Sequence, residues 1–260
     1  MPFFKTGGRF SSFKNIHRKV TRVFDKRHNK YVLLKRHESY LSLDTEYNNL
    51  QTITPFANIT EHAKLISGDI RIKDKTLVLP YVDGTDLMDI IIKINKTETK
   101  LSLEQIYKIL NPLSQCIDTL NKNNLLHVDI KPDNCIITGN FFENKDDITV
   151  TLIDFESLQP TPPRKQIFAP IWCRYGTKSY LAPEMKSDLI HRNTDLWAFG
   201  ICAFMLCCHH HPLVVHGVTE QNVAQYACEC LTRMDYEREL MDKICGLLDY
   251  NPGTRTNLFV

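Results

Sequence analysis

The stretch His127-Val128-Asp129-Ile130-Lys131-Pro132-Asp133-Asn134 decides how this chain is read, together with Leu152-Ile153-Asp154-Phe155-Glu156, whose Asp154 comes twenty residues after Asn134. The first stretch closely follows a long amphipathic helix and runs into a strand. Moving a phosphoryl group needs a carboxylate to orient an acceptor hydroxyl and take its proton. It also needs a second carboxylate and an amide oxygen for a divalent cation, and a cation over the transferred group. Asp129, Asp154, Asn134 and Lys131 supply these four, and oxygen donors of this kind suit Mg²⁺.

Outward from this stretch, Ser102–Asn121 has a helical period. Ile106, Leu110, Leu113, Ile117 and Leu120 share one face, Ser102 and Gln105 fit a capping box, and Pro112 falls inside. Asn134–Thr138 and Ile148–Ile153 read as strands around a polar loop, and helices are expected at Asp195–Cys208, Glu220–Leu231 and Arg238–Leu248. Upstream, Val20–Phe24 and Lys30–Leu34 read as strands joined by a turn, Asp44–Ile53 as a helix, and Asp69–Ile72 with Thr76–Val82 as a hairpin. The composition shifts near Gly84, from a strand-rich segment to a helical one.

The two opening stretches resemble the catalytic loop and the Asp-Phe-Gly element of the eukaryotic protein kinase family. Gly176-Thr177-Lys178-Ser179-Tyr180-Leu181-Ala182-Pro183-Glu184 resembles the end of its activation segment. Asp195-Leu196-Trp197-Ala198-Phe199-Gly200 resembles the start of the large lobe's central helix, and Asn251-Pro252-Gly253-Thr254-Arg255 the late Asp-Pro-x-x-Arg motif. The resemblance covers nearly the whole chain in the family's order. It implies a two-lobed α+β fold: an antiparallel-sheet N-lobe at about residues 1–82, a hinge at about 80–86 and a mainly helical C-lobe at about 85–260. It implies that Asp195 anchors the catalytic-loop backbone, that His127, Phe155 and Thr177 are structural, and that Arg255 pairs with buried Glu184, a pair whose breakage costs roughly 3–5 kcal/mol.

The resemblance extends less closely upstream. Val32-Leu33-Leu34-Lys35 resembles the strand whose lysine grips the α- and β-phosphates, with Glu46 as its partner and Glu38 as the alternative. Gly7-Gly8-Arg9-Phe10-Ser11-Ser12-Phe13 resembles a degraded glycine-rich loop, which makes Gly8 and Phe13 nucleotide contacts. Leu77–Leu87 resembles the last small-lobe strand and hinge. Leu79 then stands behind adenine, Pro80 offers a carbonyl, Val82 an N–H and Asp86 a ribose contact, while Leu33 and Ile136 enclose the base. The implied ligands are ATP and Mg²⁺, with Mn²⁺ as a substitute, and the implied substrates are Ser/Thr hydroxyls of proteins.

Several positions depart from the family. Val128 stands where an Arg commonly reads activation-segment phosphate, which points to activity without that phosphorylation. Glu156 replaces the Gly after Asp-Phe, so a backbone flip there is harder. Compactness and divergence resemble kinases encoded by large DNA viruses. A pseudokinase scaffold is the main alternative, set against the intact Lys35, Asp129, Asn134 and Asp154. A small-molecule kinase lacks the Ala182-Pro183-Glu184 element and its Arg255 partner.

Residues 1–36 carry a balance of +10 and the remainder −8. A basic segment of this kind suits a phosphate ligand or an acidic or nucleic-acid partner, or simply a solvated face. Residues 1–10 lack the apolar run of a secretory signal, and the longest apolar run, Leu196–Cys208, is too short to span a bilayer. With nine cysteines, the expectation is free thiols in an intracellular protein, cytoplasmic or nuclear. Cys207-Cys208-His209-His210-His211 and Cys228-x-Cys230 match no standard zinc spacing, and their cysteines read as small hydrophobes.

Overall fold

The computed structural model describes residues 9–17, 19–67, 71–143, 148–163, 166–170 and 176–259. In chain order the elements used below are β1 (Phe10–His17), β2 (Val20–Asp25), β3 (Lys30–Arg36), α1 (Tyr40–Ile53), β4 (Ala63–Leu65), β5 (Arg71–Lys73), β6 (Thr76–Pro80), β7 (Thr85–Asp86), α2 (Leu87–Thr97), α3 (Leu103–Lys122), β8 (Leu125–Leu126), β9 (Cys135–Thr138), β10 (Thr149–Leu152), α4 (Thr194–Cys208), α5 (Val223–Arg233) and α6 (Arg238–Leu247). The chain divides into two compact units, Met1–Ala57 with Ile66–Asp83, and Asn58–Leu65 with Gly84–Val260.

The first unit is an antiparallel sheet in the order β1-β2-β3-β6-β5, with α1. Side chains alternate across a strand, so Val23, Val32, Leu34 and Val78 meet on one face, where Phe10 also packs. Lys35 and Leu33 point to the other. Helix α1 opens on Ser39, whose side chain accepts the N–H of Ser42. Its buried residues are Leu43, Glu46, Leu50 and Ile53. Glu46 thus occupies a helical stripe position otherwise filled by apolar side chains, where a carboxylate must find partners.

Strand β1 does not stand out in the sequence. Phe10–His17 is polar and lacks clean alternation, and it pairs with β2 through two register irregularities. Ser12, at φ 53°, marks the first of these. At the other end of this hairpin, Arg9 Nε donates to Asp25 Oδ1 at 2.9 Å and His28 Nδ1 lies 2.7 Å from Asp25 Oδ2. The Arg9 guanidinium, with a smaller contribution from His28, holds the Asp25 carboxyl well below the usual carboxylate range despite its burial.

The second unit carries a sheet in the order β4-β10-β9-β7, in which β4 runs parallel to β10. Asn58–Leu65 therefore belongs to this unit, although sequence reading puts it with the first. Helix α3 begins with the Ser102–Gln105 capping box. Helix α4 is buried along almost its whole length, with Trp197, Phe199 and Phe204 among its fully buried side chains. It packs against α3, α5 and α6. Gly200 is needed there, because a β-carbon would come within 2.8 Å of Leu247 Cβ on α6. This is why so apolar a stretch forms a core helix. Among the described residues no helix is long and apolar enough to cross a membrane.

Not all thiols are free. Helices α5 and α6 lie side by side, and Cys228 and Cys245 are joined in a disulfide with Cα atoms 6.1 Å apart. The Cys/His cluster does not converge on a common point among the described residues. His210 Nδ1 lies 2.7 Å from the Cys208 carbonyl and Nε2 2.9 Å from the Tyr226 hydroxyl.

Candidate active site

In the second unit the site is built on a short loop that distant residues hold in place. The Asp195 carboxylate accepts the backbone N–H of His127 at 2.7 Å and of Val128 at 2.9 Å. Burial pushes the Asp195 carboxyl up, opposed by His127 and these two donors. Val128 sits at φ 67°, a costly left-handed conformation for a β-branched residue, and this anchoring offsets the strain. The His127 ring packs edge-on against Phe155, at 4.8 Å between centroids. Its Nε2–H faces the Ile153 carbonyl at 3.0 Å, which leaves Nδ1 to accept the Asp129 N–H at 3.3 Å.

Asp129 is the centre of the network. Its Oδ2 receives Lys131 Nζ at 2.7 Å and Asn134 Nδ2 at 3.2 Å, and its Oδ1 receives the N–H and hydroxyl of Thr177 at 2.9 and 3.0 Å. Lys131 Nζ also reaches Thr177 Oγ1 at 3.0 Å. Gly176 precedes Thr177 at φ +106°, where a side chain would be strained and a β-carbon would crowd Leu181 and the Val128 carbonyl. Asn134 donates its amide N–H to the Asp129 carbonyl at 2.8 Å, which leaves Oδ1 as the atom able to hold a cation. The Asn134 carbonyl accepts the Ile153 N–H at 3.0 Å, which ties the loop to the residue before Asp154. The left-handed conformation falls on Asp154, at φ 66°, rather than on Glu156, which lies in a short 3₁₀ turn. A carboxylate and an amide oxygen are the oxygen donors Mg²⁺ takes.

Beneath this loop Arg255 is almost fully buried. Its Nη1 and Nη2 reach Glu184 Oε1 and Oε2 at 2.8 and 2.9 Å, a bidentate pair. Its Nε and Nη2 also donate to the carbonyls of Asp249 and Tyr250. Thr194, which sequence reading did not single out, donates its hydroxyl to Glu184 Oε1 at 2.9 Å. Asp86 pairs with Ile136 across β7 and β9, and its Oδ1 caps α2 by accepting the Asp89 N–H. Burial raises the Asp86 carboxyl pKa.

In the first unit, Lys35 Nζ lies 3.0 Å from Glu46 Oε1 and 2.9 Å from Oε2. Glu38, the alternative, pairs instead with Lys19 at 2.8 Å. Leu33 stands opposite Leu79, and Val32 opposite Pro80. Strand β5 pairs only with Thr76–Val78, so the missing N–H of Pro80 costs the sheet no ladder bond. Val82 follows the end of β6.

The turn beside Lys35 is the β1–β2 turn: Val20 pairs with Lys35, and the Arg36 N–H donates to the Lys19 carbonyl at 2.9 Å. The segment there is Asn15-Ile16-His17-Arg18-Lys19-Val20, without a glycine. Phe13 lies within β1, half exposed, at the register irregularity. Gly7, Gly8 and Arg18 lie outside the described residues. Gly7 and Gly8 precede Arg9, which lies at the end of the hairpin that pairs with Asp25 and Lys26.

A family model described as protein kinase domain matches residues 13–258. The chain belongs to the protein kinase family. It therefore has that family's α+β fold, with antiparallel strands N-terminal and helices C-terminal. It is 31% identical over 190 residues to human myosin light chain kinase family member 4, covering 70% of this chain and 44% of that protein. It is 28% identical over 158 residues to human myosin light chain kinase 3, covering 60% and 17%. It is 30% identical over 137 residues to mouse serine/threonine-protein kinase DCLK3, covering 52% and 16%. The chain thus spans less than half the length of these relatives.

Proposed function

We propose that the chain transfers the γ-phosphate of Mg-ATP to Ser or Thr hydroxyls of protein substrates, without requiring phosphorylation of its own activation segment. The observation that carries this reading is the Asp129 carboxylate held at once by Lys131, Thr177 and Asn134. In the proposed step Asp129 orients the acceptor hydroxyl and takes its proton. The hydroxyl oxygen forms a bond to the γ-phosphorus as the bond to the β,γ-bridging oxygen breaks, and ADP carries away that electron pair. Lys131 neutralises charge on the moving group. Asp154 and Asn134 hold the Mg²⁺, or Mn²⁺ in its place, which supplies charge neutralisation at the phosphates. Lys35, held by Glu46, grips the α- and β-phosphates, with adenine beside Leu33 and Leu79 and against Pro80 and Val82. Val128 offers no cation to a phosphorylated segment, which supports constitutive competence. The basic excess of residues 1–36 suits docking of an acidic partner.

The test is ³²P transfer from Mg-ATP to a panel of basic and acidic proteins, with phosphoamino-acid analysis and Asp129→Asn as control. Label on Ser or Thr from the native chain, absent with the variant, is the expected result. The second reading is a nucleotide-binding scaffold, favoured by the glycine-free turn beside Lys35. Saturable Mg-ATP binding with no transfer to any panel member or to itself would favour that reading.

A further inference from the structure

Glu46 has a second neighbour besides Lys35. The side chain of His37 is almost fully buried, and its Nε2 lies 3.1 Å from Glu46 Oε2. His37 is itself positioned from two sides. Its backbone N–H donates to the Lys75 carbonyl at 2.8 Å, in the turn between β5 and β6. Its Nδ1 lies 3.3 Å from the Ser42 hydroxyl, in the first turn of α1 and one turn before Glu46. Ser42 is tied in turn to the cap residue Ser39, through its N–H to Ser39 Oγ and its hydroxyl to the Ser39 carbonyl.

A carboxylate on a buried helix stripe loses hydration that one ammonium group does not fully replace, since its two oxygens offer about four acceptor positions. Lys35 approaches both oxygens of Glu46 and leaves Oε2 open to a second donor. The imidazole Nε2 stands 3.1 Å from that oxygen, within ion-pair reach, and among the described residues neither atom is engaged in an aligned hydrogen bond. The ring also spans the point where β3 ends and α1 begins. Fixing it therefore fixes the strand that carries Lys35 relative to the helix that carries Glu46. We infer that His37 is a positioning residue, which holds Glu46 in the rotamer that aims Lys35 Nζ at nucleotide phosphate. This inference rests on the proposed role of Lys35, and its test includes a readout that does not require phosphotransfer.

The experiment compares His37→Phe, His37→Gln, Glu46→Gln and the His37→Phe/Glu46→Gln double variant. Phe keeps ring bulk without a donor, whereas Gln keeps an N–H near the place of Nε2. The expected result is a fall in kcat/KM for ATP of about tenfold for His37→Phe, the scale of one charge-assisted polar contact, with KM for the protein substrate unchanged. His37→Gln should recover most of the loss, and His37→Phe should cost nothing further once Glu46 is Gln.

Acylation of Lys35 by acetic anhydride, followed by mass spectrometry, gives the second readout. Freed from a firmly held carboxylate, the Lys35 amine should acylate several-fold faster in His37→Phe and Glu46→Gln alike, with no further gain in the double variant. Equal losses from His37→Phe with and without Glu46, or an unchanged acylation rate in a variant that melts like the native chain, would overturn the assignment. If the native chain transfers no phosphate, the proposed function fails, and the acylation pattern still decides the role of His37.

Discussion

The two units hold their charged groups in different ways. In the second unit Asp129, Lys131 and Asn134 come from one six-residue stretch, and the buried Asp195 carboxylate fixes that stretch through backbone N–H groups. The Arg255–Glu184 pair lies beneath, with each Arg255 donor group directed to an acceptor. In the first unit Lys35 and Glu46 come from different elements, and their contact depends on side chains at the junction of β3 and α1. The first arrangement is anchored through the main chain, and the second rests on side-chain packing. Damage to the second unit should therefore cost folding and catalysis together. Damage to the first should act mainly on nucleotide use.

Removing the centre of the second network breaks the comparison most sharply. Asp129→Asn is expected to reduce phosphotransfer by at least about 10²-fold with little change in nucleotide affinity, measured by steady-state kinetics beside calorimetric ATP binding. Next comes Arg255→Leu, which strands buried Glu184. It should destabilise the chain by about 3–5 kcal/mol, read by urea denaturation, and Arg255→Lys should not restore stability because a point charge cannot replace a bidentate fork. Glu46→Gln should lower kcat/KM for ATP by about tenfold or more while leaving the urea midpoint closer to native than Arg255→Leu does. If Glu46→Gln unfolds the chain and Arg255→Leu does not, the contrast between the units is wrong.

The smallest effect is expected at the far end of the β1–β2 hairpin. Asp25 has a depressed pKa in the folded chain. Its contribution is therefore fully present above the ordinary carboxylate value and is lost as pH falls toward the folded value. Arg9→Ala should cost about 1 kcal/mol or less at pH 7. The difference from the native chain should shrink as the pH of the denaturation experiment is lowered from about 5 to about 2. A difference that grows on acidification would refute the assignment of the shift to Arg9.

Much of the second unit is legible in the residues alone because its decisive contacts are local or belong to long periodic helices. The set 129, 131 and 134 is a matter of spacing along a short loop, and α3 declares itself by its apolar period and its Ser102 cap. Contacts between distant segments are less legible. Thr194 on Glu184 is visible only once α4 is placed. The membership of Asn58–Leu65 is decided by the parallel pairing of β4 with β10, and the disulfide by the packing of α5 against α6.

By itself the sequence determined the family, the helical organisation of the C-terminal unit and the chemical types gathered around Asp129, because these depend on residue order and short-range spacing. Only the tertiary structure decided which turn lies beside Lys35. A strand's register depends on its partner, and the pairing of Val20 with Lys35 moves that turn to His17–Val20. The tertiary structure alone also brought His37 to Glu46. Nothing in the eight residues between them marks a contact until α1 folds against the sheet and a carboxylate is buried where it must be held.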